Sequence, residues 1–143
     1  MEDYYTAFLQ RAEDVTILDK NGRRIAAIHF GGVAIECLLK HLIFASLPDD
    51  ARKEWKTNAN DPGHTITNPG HNYEYALNRH HQLRLSIRQS PFVLAWFNAV
   101  ENPDGHFINM RYAGNEPSDE KYRRWVQSYQ SLREWLKKQP VKR

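Results

Sequence analysis

The segment Arg24–Ser46 constrains the fold of this 143-residue chain more than any other. Ile25, Ile28, Gly32, Ile35, Leu38, Leu39, Leu42 and Ile43 recur at steps of three and four, the spacing of a helix face. The stripe is wide and apolar on more than one side. A Glu36–Lys40 pair, four residues apart, stands beside it and reads as a helix-surface ion pair. Such a helix needs neighbours on several sides, which makes it the centre of a helical bundle. His29, Glu36, Lys40 and His41 interrupt the apolar run, so no stretch approaches the roughly 18 apolar residues of a membrane-spanning helix.

The rest of the chain supplies those neighbours. Tyr4, Tyr5, Phe8, Leu9, Ala12 and Val15 predict a helix over 2–18, which the breakers Asn21 and Gly22 end. Pro48 closes the central helix, and Asp49 can cap a short piece over 50–56 that carries Trp55. Residues 57–70, rich in Pro, Gly, Asn and Thr, form a long surface loop. A third helix is expected over 72–90, and Pro91 opens a fourth, nearly all-apolar piece over 92–100. An irregular connection follows over 102–117. Ser118 or Asp119 then caps a last helix over 119–138, where Tyr122, Trp125, Val126, Tyr129, Leu132, Trp135 and Leu136 keep helical spacing throughout. No alternating β-branched run suggests a strand. The expectation is an all-α, antiparallel up-and-down bundle of four to five helices, one domain over 1–143.

Several function classes drop out on residue type. A lone cysteine, Cys37, allows no internal disulfide and no multi-cysteine zinc site, and fits a reducing compartment. It lies in the apolar part of the central helix, where a small buried hydrophobe is the ordinary reading. The N-terminus is acidic with no apolar stretch behind it, unlike a signal peptide, so a cytoplasmic protein is expected. Seven histidines invite a metal site, but His80 and His81 are adjacent and no His-Glu-x-x-His occurs. His64 and His71 flank the loop without an evident third ligand, and no metal is expected. Nucleophile elbows, phosphate-binding glycine loops and dinucleotide fingerprints are lacking, so no cofactor is expected either. Gly31-Gly32 inside a helix points to close helix–helix approach, or to backbone lying against a ligand. A net charge of +3 permits a nucleic-acid partner without requiring one. Lys121, Arg123, Arg124, Arg133, Lys137 and Lys138 face away from the last helix's aromatic stripe, and with Lys142 and Arg143 they could meet phosphate.

Three pieces, in order over about 22–138, resemble the HEPN family of small helical bundles. Residues 26–43 carry small residues ahead of Glu36 and then Leu39-Lys40, like that family's long helix. Gly70-His71-Asn72 opens the next helix, similar to the His-Asp-Leu of many members. Met110-Arg111-Tyr112 resembles an Arg-Tyr found shortly before the final helix. The resemblance implies a homodimer or a nucleotidyltransferase partner, and involvement with RNA or nucleotides. Many members are metal-independent endoribonucleases of toxin or defence type, with an Arg, four to six residues, then a His late in the bundle. There a histidine moves the 2′-OH proton while an arginine stabilises the phosphorane.

This chain departs from that signature. After Arg111 the matching positions are Glu116, Pro117 and Ser118, and no histidine follows His106. The spacing does occur from Arg23 and Arg24 to His29, but on the first long helix. With twelve arginines and seven histidines, chance alone supplies about two such matches. His29 therefore reads as a packed or capping residue. The resulting expectation is a dimerising module that binds nucleotide, RNA or a partner protein, with Glu36, Lys40, His71, Arg111 and Tyr112 as binding residues. The start of the third helix and the Arg-Tyr segment would flank a common groove. One alternative is a divergent ribonuclease that assembles Arg111 with His71 or His106 in space. Another is a purely structural interaction protein.

Overall fold

The computed structural model describes residues 3–50 and 71–140, and it is all-helical over them. The elements are α1 (Tyr4–Lys20), α2 (Arg24–Ser46), α3 (Tyr73–Leu77), α4 (His81–Arg88), α5 (Pro91–Glu101), a 3-10 segment (Phe107–Tyr112) and α6 (Asp119–Lys137). The expected 50–56 helix, the 57–70 loop with His64 and Gly70, and the basic Lys142 and Arg143 lie almost wholly outside the described residues.

Local chemistry explains most of the boundaries. The Asp3 carboxylate accepts the Thr6 amide at 3.0 Å and starts α1. The chain leaves α1 through Asn21 and Gly22, the latter at φ 68°, where a Cβ would be strained, and α2 folds back along α1. Ser90 caps α5 with Pro91 in its first turn, and Ser118 rather than Asp119 caps α6. The N-terminus of α2 is different. Arg23 makes no side-chain cap, and the Ile25 amide instead donates to Glu116, 91 residues along the chain, at 3.0 Å.

α2 packs against α1, α3, α5, α6 and the 3-10 segment, and is therefore the central element. Ile35, Leu39 and Ile43 are fully buried there. By length and composition this 23-residue helix is long and apolar enough to cross a bilayer, a test that a buried core helix passes equally. About two-thirds of that apolar window is buried among the protein's own helices. Gly31 and Gly32 mark the tightest approaches, as their placement suggested. A Cβ on Gly31 would lie 2.5 Å from the Trp125 ring, and one on Gly32 would lie 2.2 Å from Phe107.

The expected third helix, 72–90, is two helices. Tyr73, Ala76 and Leu77 face the core from the first, Leu83 and Ile87 from the second. Between them the chain tightens through Asn78, Arg79 and His80, whose amides bond back to Glu74, Ala76 and Leu77. The His80 imidazole then caps α4 through the Leu83 amide at 3.3 Å. The 102–117 connection is also more ordered than expected, because it contains the 3-10 segment with Phe107 fully buried.

Candidate functional site

The site is built where α3 begins against the middle of α2. Glu36 and Lys40 are one turn apart on α2, and both are buried (8% and 6% exposed) because other helices cover this side as well. This corrects the reading of the pair as a surface feature. The Lys40 ammonium donates to Glu36 Oε2 at 3.0 Å. The other carboxylate oxygen, Oε1, lies 2.7 Å from Nδ1 of His71. A carboxylate only accepts, so Nδ1 carries a proton, and in the neutral ring Nε2 holds the basic lone pair. His71 is 55% exposed at its side chain, and Nε2 has no partner among the described residues.

A second carboxylate fixes the start of α3. Glu101, the last residue of α5, accepts the Tyr73 amide at 2.9 Å. Burial pushes its carboxyl above the usual range, while that hydrogen bond and nearby His106 pull the other way. Asn72 caps the same helix through the Tyr75 amide, so His71 is not the cap. The Tyr73 hydroxyl donates to the Gly32 carbonyl of α2. Its phenol is held well above the ordinary value by burial first, with Glu36 and Glu101 adding to the effect. Tyr73 is thus a strut that ties α3 to α2.

His106 joins this cluster with both ring nitrogens engaged. Nδ1 accepts the Ile108 amide at 3.2 Å, so Nε2 carries the proton and donates to the His71 carbonyl at 3.0 Å. In this way His106 holds the His71 backbone. His29 is likewise a packing residue, with Nδ1 donating to the Phe107 carbonyl at 3.1 Å.

Arg111 and Tyr112 occupy the far end of the 3-10 segment. The Arg111 guanidinium lies 4.9 Å from the centre of the Tyr112 ring, and Tyr112 is 74% exposed. Among the described residues no hydrogen bond or ion pair links them to Glu36, Lys40 or His71. Nor does any group of three metal-ligating side chains come together there. No family model, characterised protein or solved structure matches this chain. The site therefore stands on its own geometry.

Sequence reading missed Glu101 and Tyr73 as partners of this cluster. Glu101 did carry a signal, as a lone carboxylate closing an otherwise apolar segment. Tyr73 carried none beyond its place in an apolar pattern. The geometry offers two distinct capacities: an oriented imidazole held by a buried carboxylate, and a stacked cation–aromatic pair on the surface.

Proposed function

We propose that this chain is a HEPN-like helical bundle that binds RNA or a nucleotide as a dimerising module. The observation that carries this reading is the exposed Arg111–Tyr112 pair. Tyr112 offers a π-face to a base while the guanidinium above it can meet the adjoining phosphate. The 3-10 segment anchors this pair through the buried Phe107 and Met110. Exposed large apolar side chains on α3 and α5, Tyr75 and Phe92 among them, favour a second copy of the chain as partner.

The test is fluorescence anisotropy with a labelled single-stranded RNA of about a dozen nucleotides, beside light scattering for mass. Stacking on a ring is worth about 1–3 kcal/mol per base, so Tyr112→Ala should weaken binding roughly tenfold or more. Arg111→Ala should weaken it and flatten its salt dependence. Equal affinity in both variants and the parent would sink the proposal, as would no binding at all. A monomeric mass would remove the dimer.

A second reading, metal-independent RNA cleavage, draws on the carboxylate-oriented His71. Nε2 would take the 2′-OH proton, O2′ would attack phosphorus, and the P–O5′ bond would break with the 5′ oxygen taking a proton from water while Nε2 returns its own to solvent. A 2′,3′-cyclic phosphate would result. Incubation of an RNA pool in EDTA decides it, with His71→Ala and a folding-checked Arg111→Ala as controls. Cleavage lost in His71→Ala supports this reading, and an intact pool eliminates it.

A further inference from the structure

A cleft of about 400 Å³ opens between α2, α5, the 3-10 segment and α6. That volume falls in the range of small-molecule sites. Its floor is apolar, formed by Ile28, Met110 and Trp125, all buried. Its walls are made of small side chains. Ala95 and Ala99 lie one turn apart on α5, and Ser128 stands on α6, so the space between the two helices is left open.

The rim carries charge. Lys121 and Arg124 line it from α6, against a single lining carboxylate, Asp104. Lys121 reaches Asp104 at 3.7 Å, and Arg124 reaches Glu120 at 3.9 Å. Both pairs are long and exposed, and pairs of that kind contribute little. A ligand anion can therefore displace either carboxylate at small cost. Trp125 adds a further mark: its buried indole Nε1–H has no hydrogen-bond acceptor among the described residues.

We propose that this cleft is a binding site for a small, flat, apolar ring that carries one acidic group. The ring lies between the helices where Ala95 and Ala99 leave room, over Ile28 and Met110 and beside the edge of Trp125, whose indole is itself stacked with Tyr122 and Tyr129. The acid meets Lys121 and Arg124 at the rim, in place of the weakly held Asp104 and Glu120. Glu36, Lys40, His71, Arg111 and Tyr112 do not line the cleft. The proposal is therefore independent of the RNA reading, and either can fail without the other.

The probe is 1-naphthalenesulfonate, with neutral 1-naphthalenemethanol as its uncharged counterpart. Each is titrated against the whole protein while the indole N–H signals are followed by two-dimensional NMR. A saturable shift of the Trp125 signal is expected with the sulfonate. Ala99→Leu fills the space and should weaken binding about tenfold or more, with Ala95→Leu as the substitute if that variant misfolds. Replacing Lys121 and Arg124 together by Gln should weaken the sulfonate by a similar factor and leave the alcohol unchanged. No saturable shift at millimolar sulfonate overturns the site, and so does undiminished binding in the filled variants. An alcohol that binds as tightly as the sulfonate overturns the acidic group.

Discussion

Two residue types carry most of the specificity of the α2 surface: glycines that have no side chain, and a charged pair that has been taken out of water. Phe107 sits directly on the Gly32 backbone, and its own Cβ lies within 2.7 Å of where an added methyl would go. The clash cannot be relieved by swinging a flexible tip. Gly32→Ala should therefore cost about 1–3 kcal/mol or more in urea denaturation, despite alanine's better helix propensity. It should also disturb the Tyr73 strut, whose hydroxyl bonds the same residue's carbonyl. The Glu36–Lys40 pair gives a different expectation. Glu36→Ala leaves the Lys40 ammonium buried with no carboxylate, which should cost roughly 3–5 kcal/mol. Replacing both residues by leucine should cost far less, because no charge remains to be solvated. Thermal unfolding of the two single variants and the double variant checks this. A Glu36→Ala loss below about 1 kcal/mol would mean that water reaches the pair.

At the scale of elements, helix ends decide how the pieces join. The Ile25 amide at the start of α2 is satisfied by Glu116 just before α6, and Arg24 reaches the Pro117 carbonyl at 3.1 Å and pairs with Asp119. One helix start thus anchors the start of another. Glu116→Ala should cost about 1 kcal/mol and speed hydrogen exchange at the Ile25 amide. Glu101 makes the corresponding tie for α3, but with a pH dependence. Its carboxyl is raised by burial above its usual 4.5, so the native state holds that proton more tightly than the unfolded chain. Its contribution to stability is fully present below about 4.5 and is lost as pH rises through the folded value. Glu101→Gln keeps an oxygen for the Tyr73 amide and removes the desolvated charge. The variant should gain on the parent as pH rises from about 4.5 to neutrality, read from urea midpoints across that window.

For the whole molecule, the helical class was plain in the sequence because each helix carries its own period and its own stop signals. Pro91, Ser118 and Asn21-Gly22 act on their nearest neighbours, so their effect needs no knowledge of the fold. The division of 72–90 was not legible, because Ala76, Leu83 and Ile87 keep helical spacing across it. The candidate site was legible only in part. His71 stood out by type and position, while its partner Glu36 is 35 residues away, and the oriented imidazole exists only through that contact. The contacts gather His71 with Glu36, Lys40 and His106, and Arg111 with Tyr112.

The sequence by itself determined that this chain is helical and that residues 24–46 form its central element. These are consequences of the 3.6-residue repeat and of side-chain size, which act within a turn or two. Tertiary structure alone decided that Glu36 and Lys40 are interior, that Glu116 caps α2 and that His106 is consumed in holding the His71 backbone. The same alternation of polar and apolar residues serves a wet face or a covered one. Which of the two it becomes is set by whatever distant segment packs on it, here residues 35 to 91 positions along the chain.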